Sequence, residues 1–243
     1  MEIKTVHDYQ ASPELLKNKV ILVTGAGDGI GRQAALSYAE HGATVILLGR
    51  TVSKLESVYD EIIAQGSPQP AIIPLDIKGA TENHYRDQFG KLDGVLHNAG
   101  LLGILSPFTH IEKDSWDDIM QVNVTGQFAM TQALIPVMEK SPNASLVFTS
   151  SGVGRNGRAF WGPYSVSKFA TEGMAQVIAD EYEDTKLRTN VINPGATRTA
   201  MRAKAYPAED AKSLKTPKDL MPTYLYLMSD DSISDNGLCF DAQ

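Results

Sequence analysis

Residues 20–31 read Val20-Ile21-Leu22-Val23-Thr24-Gly25-Ala26-Gly27-Asp28-Gly29-Ile30-Gly31, and the change of character within this stretch sets the fold. An unbroken apolar run this short is no helix by itself, and it ends at a glycine cluster, the mark of a buried strand. Beyond the glycines, Ile30 to Glu40 carry helix formers with apolar positions at helical spacing. His41-Gly42 then closes the segment before the apolar run Ala43-Thr44-Val45-Ile46-Leu47-Leu48. The unit is strand, helix, strand.

The same alternation continues outward. Helices are expected around Val52 to Ala64, Ala80 to Phe89, Asp114 to Met138, Pro163 to Tyr182 and Lys218 to Met228. Strands are expected at Ala71 to Leu75, Leu92 to His97, Ser145 to Thr149, Leu187 to Ile192 and Gly237 to Phe240. Strands that are apolar throughout, each separated by a helix, predict a parallel sheet covered on both faces. The expectation is an α/β chain with a Rossmann fold: a doubly wound parallel sheet of about seven strands, order 3-2-1-4-5-6-7, with helices on both faces. Residues 1–18 read as a polar lead-in and 19–243 as a single dinucleotide-binding catalytic domain, because no linker, repeat or low-complexity segment divides them.

Composition narrows the function classes. With 29 acidic against 22 basic side chains the net charge is −7, so a nucleic acid is a disfavoured partner. The only cysteine is Cys239, and the chain starts without a basic, then apolar, leader or any apolar run approaching the ~20 residues needed to span a bilayer. A cytoplasmic protein without a membrane partner is expected. The histidines His7, His41, His84, His97 and His110 are scattered unlike any ligand motif, and no metal site is expected. The end at Asp241-Ala242-Gln243 is abrupt, as though a tail followed.

Between a buried strand and a helix, Gly25, Gly27, Gly29 and Gly31 let the backbone turn sharply and approach a phosphate, with helix N–H groups aimed at it. The common GxGxxG fingerprint does not fit, since its last position falls on Ile30 or Arg32; the spacing is TGxxxGxG. At the end of the second strand, where an NAD enzyme carries an acidic residue for the ribose 2′-hydroxyl, the chain reads Leu48-Gly49-Arg50. Arg50 either pairs with a 2′-phosphate, favouring NADP(H) over NAD(H), or simply ends a strand in solvent. Asp28 is an unhelpful anion in the loop, which Arg32 on the following helix is expected to offset. Tyr164 and Lys168 stand four apart on a predicted helix and so share a face; thirteen residues before Tyr164, directly after an apolar strand, stands Ser151. Such pairs also arise in ordinary packing, but the carboxyl end of a parallel strand is where this architecture holds ligands.

Taken together, Thr24-Gly25-xxx-Gly29-x-Gly31, Asp76, His97-Asn98-Ala99-Gly100, Asn123, Ser151, Tyr164-xxx-Lys168 and Pro194-Gly195 resemble the classical short-chain dehydrogenase/reductase family from Lys19 to Phe240, most closely its bacterial YciK-type oxidoreductases. The resemblance implies a transfer of hydride between NADP(H) and a small-molecule carbonyl or alcohol. Tyr164 would be the general acid and base, and Lys168 would favour its phenolate and bond the nicotinamide ribose. Ser151 would position the substrate oxygen, and Asn123 would hold a water linking Lys168 to solvent. For the cofactor it implies Gly25, Asp28, Gly29, Ile30 and Gly31 in the loop, with Arg50 beside them. Asp76 and Ile77 would meet the adenine, Asn98-Ala99-Gly100 the adenosine side, and Pro194, Gly195, Thr197 and Thr199 the nicotinamide and phosphates. His97 replaces the first of the family's usual two asparagines and is expected buried and neutral with a backbone partner.

The loop between Ser151 and Tyr164 carries Arg155, Arg158 and Trp161, which either select an anionic or aromatic substrate or brace the loop or a subunit contact; Arg198 and Arg202 nudge the expectation toward an acidic one. Relatives pair through two long helices, implying a homodimer or homotetramer. A catalytically idle nucleotide sensor or scaffold is the alternative, against which the intact Ser151, Tyr164 and Lys168 argue.

Overall fold

The structure, a computed structural model, describes residues 1–79 and 90–243. Its strands form one parallel sheet: β1 (Ile3–Thr5), β2 (Val20–Thr24), β3 (Thr44–Gly49), β4 (Ala71–Pro74), β5 (Gly94–His97), β6 (Ala144–Thr149), β7 (Leu187–Asn193) and β8 (Cys239–Asp241). Their order is β1-β8-β7-β6-β5-β2-β3-β4. Counted from Val20, the expected order is met in full. The stretch read as a lead-in adds an eighth strand beyond it, with Ile3 opposite Cys239 and Thr5 opposite Asp241.

Side-chain alternation explains the two cores. Ile21 and Val23 of β2 join Tyr38 of α1 (Gly29–Glu40), Leu55 and Val58 of α2 (Val52–Ala64) and Tyr224 of α7 (Met221–Met228) on one face. Leu22, one residue out of phase, joins Met130 and Leu134 of α4 (Gly126–Met138) and Ile178 of α5 (Gly162–Glu181) on the other. A strand flanked by helices on both sides must be apolar at every position, and this is why the runs read as continuous.

The helix expected at Asp114 to Met138 is continuous from Lys113 but not uniform. After α3 (Lys113–Met120) it widens into one π turn, Gln121–Thr125, before α4. Gly126 permits this close passage, since an added Cβ would stand 2.3 Å from Ile77 Cγ2. The helix expected at Ala80 to Phe89 lies outside the described residues. A short α6 (Ala200–Ala205) follows the loop after β7 and was not expected. Among the described residues, no helix is long and apolar enough to cross a membrane.

From β2 the chain moves to β3 and β4 on one side, then crosses back to β5 on the other. At that reversal two loops part at the carboxyl ends of β2 and β5, leaving a crevice over the sheet edge.

Candidate active site

The crevice is a cleft of about 410 Å³ that runs from Arg50 and Asp76 past the glycine loop to Tyr164 and Lys168. The glycine loop is stitched to the turn after β5 by Thr24, whose Oγ1 accepts the N–H groups of Asn98 (2.9 Å) and Ala99 (3.0 Å). Gly25 holds φ +67°, and at Gly31 an added Cβ would stand 2.4 Å from the Gly25 carbonyl oxygen and 2.5 Å from Asn98 Nδ2. Any side chain at Gly31 would pry the loop off the turn that forms the cleft floor.

Asp28 caps α1, its Oδ1 accepting Gly29 N–H at 2.8 Å. Its other oxygen is paired with Lys54, and the bond from Lys54 holds the carboxyl below its usual range, the Gly29 N–H adding to it. The offset expected from Arg32 therefore comes mainly from Lys54, with Arg32 adding the smallest part while it pairs with Glu61. Arg50 and Asp76 face each other at 3.8 Å, their side chains 61% and 49% exposed. Ile30, Ile77, Ala99, Gly100, Pro194 and Thr199 also line the cleft. Gly31, Gly195 and Thr197 do not: Thr197 Oγ1 bonds the Pro194 carbonyl at 3.2 Å, and Gly195 is covered by the side chain of Gln243.

Three consecutive residues at the end of β6 organise the other end. The Thr149 carbonyl accepts Lys168 Nζ at 2.7 Å, and Ser150 Oγ donates to Glu172 at 2.7 Å. Ser151, the third, makes no hydrogen bond to Tyr164 in this structure but is near enough to act on its proton affinity. Tyr164 sits in the first turn of α5 and Lys168 one turn on, with Nζ 5.6 Å from the tyrosine ring centroid. Burial pushes Tyr164 up to about 12, Ser151 pulling the other way. Burial likewise brings Lys168 down to about 8, opposed by Glu172. The expected lowering of Tyr164 by Lys168 is not seen: burial sets the phenol with Ser151 opposing it, and the lysine is the group brought toward neutrality.

Asn123 sits on the π turn, fully buried. Its Oδ1 accepts Leu101 N–H at 2.8 Å, and its Nδ2 donates to the Leu101 carbonyl at 2.9 Å and to Ser167 Oγ at 3.0 Å. An added Cβ on Gly100 would lie 3.5 Å from Asn123 Oδ1 and 3.8 Å from Lys168 Nζ, so this glycine keeps open a gap bordered by both. His97 is buried as expected, but Nε2 pairs with Thr131 Oγ1 at 2.9 Å rather than with backbone, and burial lowers the ring to about 3.

The arginines read as substrate contacts are engaged by the protein. Arg155 pairs with Asp241 (3.0 Å) and approaches Glu172 (3.6 Å), so it braces the loop against β8 and α5 and is not a pocket wall. Arg198 bonds the carbonyl of Ala211 at 2.7 Å, Arg202 pairs with Glu209 at 2.6 Å, and Arg158 donates to the Tyr206 hydroxyl at 2.6 Å. The hint of an acidic substrate falls with them. Trp161 does stand at the site, its ring centroid 5.9 Å from that of Tyr164. Sequence reading missed Lys54 and Glu172. For Lys54 no local signal exists, since its partner is remote in sequence; for Glu172 the four-residue spacing from Lys168 was available.

A family model for short chain dehydrogenases matches residues 19–210. The oxidoreductase YciK of Escherichia coli (strain K12) is 54% identical over 242 residues, covering 97% of this chain and 96% of its own. The structure of a short chain dehydrogenase from Shigella flexneri 2a, complexed with NADP, has a TM-score of 0.93 at 54% identity, covering 96% of this chain and 100% of that one. One from Escherichia coli CFT073, complexed with NADPH, also has a TM-score of 0.93 at 54% identity, covering 96% and 99%.

Proposed function

The chain belongs to the short chain dehydrogenase family, and from that premise we propose that it is an NADP(H)-dependent oxidoreductase acting on a carbonyl or secondary alcohol of a small molecule, with Tyr164 as general acid and base. What supports the reading is the joining of two unlike ends in one cleft: a phosphate cradle beside Arg50, and a buried tyrosine beside a buried lysine. The residues fit the cofactor. The glycine floor leaves no Cβ in the way, no carboxylate stands at the Gly49-Arg50 turn itself, and relatives at 54% identity were solved with NADP or NADPH. Arg50 and Lys54 are the cations nearest at hand for a 2′-phosphate, each able to exchange its exposed carboxylate partner for it. Gly25, Asp28, Gly29, Ile30 and Gly31 form the loop under the pyrophosphate; Asp76 and Ile77, then Asn98, Ala99 and Gly100, border the adenosine; Pro194, Gly195, Thr197 and Thr199 form the turn at the nicotinamide.

When bound, the nicotinamide supplies the hydride for reduction and accepts it in oxidation. Tyr164 holds the proton. Raised to about 12, it stays protonated through neutral pH and gives that proton to an oxygen becoming an alkoxide, taking one back in oxidation. Ser151 orients the same oxygen. Lys168, held by the Thr149 carbonyl, keeps its remaining N–H bonds for the ribose and for a water in the gap over Gly100. That water is the route by which Asn123 joins the relay, since one Oδ1 lone pair is unspent.

The catalytic domain spans residues 19–243, in a cytoplasmic homodimer or homotetramer. Val166, Phe169 and Val177 leave an apolar stripe exposed along α5, and Phe128 of α4 is exposed as well, surfaces suited to a second copy.

Fluorescence titration with NADPH and NADH in parallel, followed by a panel of ketones, aldehydes and quinones, tests the proposal. Expected is tight NADPH binding, much weaker NADH binding, and NADPH consumption with at least one carbonyl. Failure of both nucleotides to bind at about millimolar concentration overturns it, and binding without turnover of any substrate leaves an idle nucleotide sensor.

A further inference from the structure

Next to Tyr164, beyond the cleft lining itself, Trp161 and the segments beside it carry aromatic and apolar side chains that are partly or largely open to water. Trp161 links the Tyr164 ring at 5.9 Å to the Tyr206 ring at 5.8 Å. Phe160 beside it is 58% exposed and holds φ +72°, in the left-handed region a phenylalanine enters only at a cost. Its carbonyl accepts Ser106 N–H at 3.1 Å, which draws the neighbouring segment alongside, where Ile104 and Phe108 are 71% and 70% exposed. Gly162 lets that segment close in, since an added Cβ would meet Ile111 Cδ1 at 2.6 Å and Phe108 Cδ2 at 3.5 Å. Met201 enters the cleft from α6.

The cations around this patch are already engaged. Arg158 is bound to the Tyr206 hydroxyl, and Arg202 is stacked 3.9 Å from the Tyr206 ring centroid while paired with Glu209. Arg202 would have to give up Glu209 to take an anion and exposed Arg158 would hold one only in open water, whereas a neutral apolar body covers exposed aromatic surface and disturbs neither. Backbone strain is held here at a phenylalanine more than half exposed, directly before the tryptophan that meets the tyrosine ring.

Resting on the oxidoreductase reading, we propose that the substrate is an uncharged carbonyl compound with a flat aromatic or large apolar body, seated against Phe108, Phe160, Trp161 and Tyr206. Its carbonyl carbon takes a hydride from NADPH and its oxygen takes the Tyr164 proton, replaced from solvent, so that one secondary alcohol and one NADP⁺ form per carbonyl. A second copy of the chain is the competing occupant of this rim.

The test uses the full chain with saturating NADPH and a ketone series: acetone, acetophenone, 2-acetylnaphthalene and 4-carboxyacetophenone. Expected is kcat/KM rising about tenfold or more along the three neutral ketones and falling about tenfold when the carboxylate is added to acetophenone. Phe160→Gly relieves the strained φ, so the fold is retained, and Phe108→Ala lies outside the core. Each is expected to raise KM for 2-acetylnaphthalene about fivefold and to shrink its advantage over acetone, with the Kd for NADPH unchanged. Turnover with a flat series, or a preference for the carboxylate, overturns this inference alone. So does a drop in sedimenting mass in Phe160→Gly with KM unmoved, which would make the rim a subunit contact. NADPH binding with no carbonyl consumed overturns the oxidoreductase reading as well.

Discussion

At the Arg50 end of the cleft the charges stand in water, while at the Tyr164 end they are sealed from it. The side chains of Arg50, Asp76, Lys54 and Asp28 are between 49% and 62% exposed, whereas the Tyr164 and Lys168 residues are 8% and 3% exposed. Exposed ion pairs are worth about 0–1 kcal/mol each, so Arg50 and Lys54 give up their carboxylates cheaply when a stronger anion arrives. Buried groups have no such freedom, and their environment instead sets when they hold a proton. One end recognises by exchange of partners, and the other acts by fixed proton affinity.

The contrast breaks first, and most visibly, at Tyr164. Tyr164→Phe keeps the ring and removes the proton, so kcat should fall about 10²- to 10⁴-fold with the Kd for NADPH unchanged. A loss under about tenfold in single-turnover rates would mean that another group carries the proton. The second effect concerns Lys168, which loses its charge near pH 8. kcat/KM for carbonyl reduction should fall through an alkaline limb centred near pH 8, because the proton source behind Tyr164 is spent there. Stability moves the opposite way. The unfolded lysine keeps its proton to about 10.5, so between about pH 8 and 9 the unfolded state binds more protons through this group and urea midpoints should rise with pH, before Cys239 and the buried tyrosines, all raised by burial, turn the trend downward. Midpoints that instead fall across that window would show Lys168 to be well compensated in the fold.

At the open end the expected effects are smaller and salt-sensitive. Arg50→Ala should weaken NADPH about tenfold and Lys54→Ala a few fold, each leaving NADH unchanged. Both effects should shrink toward nothing near ~1 M salt in the same titrations. An effect that survives high salt would place these cations in a drier site than the structure shows. Smallest is Asp28→Ala, whose two consequences oppose one another. Loss of the α1 cap should cost about 1 kcal/mol in denaturant unfolding, while the freed Lys54 should tighten NADPH slightly. A variant that loses stability and NADPH affinity together would show the cap to matter more to the loop than the charge does.

The strands from β2 to β8 were legible because helices cover both faces and force an unbroken apolar run. β1 was not, since Ile3-Lys4-Thr5 pairs through its backbone at a sheet edge, where no alternation of side chains is demanded. The π turn left no trace either, because Gln121 to Thr125 have ordinary helical composition and the widening comes from packing around Asn123 and Gly126. For the site, residue types at fixed spacing marked Tyr164, Lys168 and Ser151. What stayed hidden was whichever property depended on two distant segments meeting. The pairing of Asp28 with Lys54, the bracing of Arg155 by Asp241 and the net proton affinity of Tyr164 are of this kind.

The pairing of Ile3–Thr5 with Cys239–Asp241 also orders events in time. The glycine cradle draws on the last third of the chain as well, since Tyr38 of α1 donates to the Tyr224 carbonyl of α7 at 3.4 Å and shares a core with it. Arg155 must wait for Asp241, and β1 must wait for β8, so the brace behind the loop that follows Ser151 is among the last contacts to form. Nucleotide cradle and proton-transfer site are thus each completed by contacts between segments far apart in the chain, and neither half of the cleft is an independent piece.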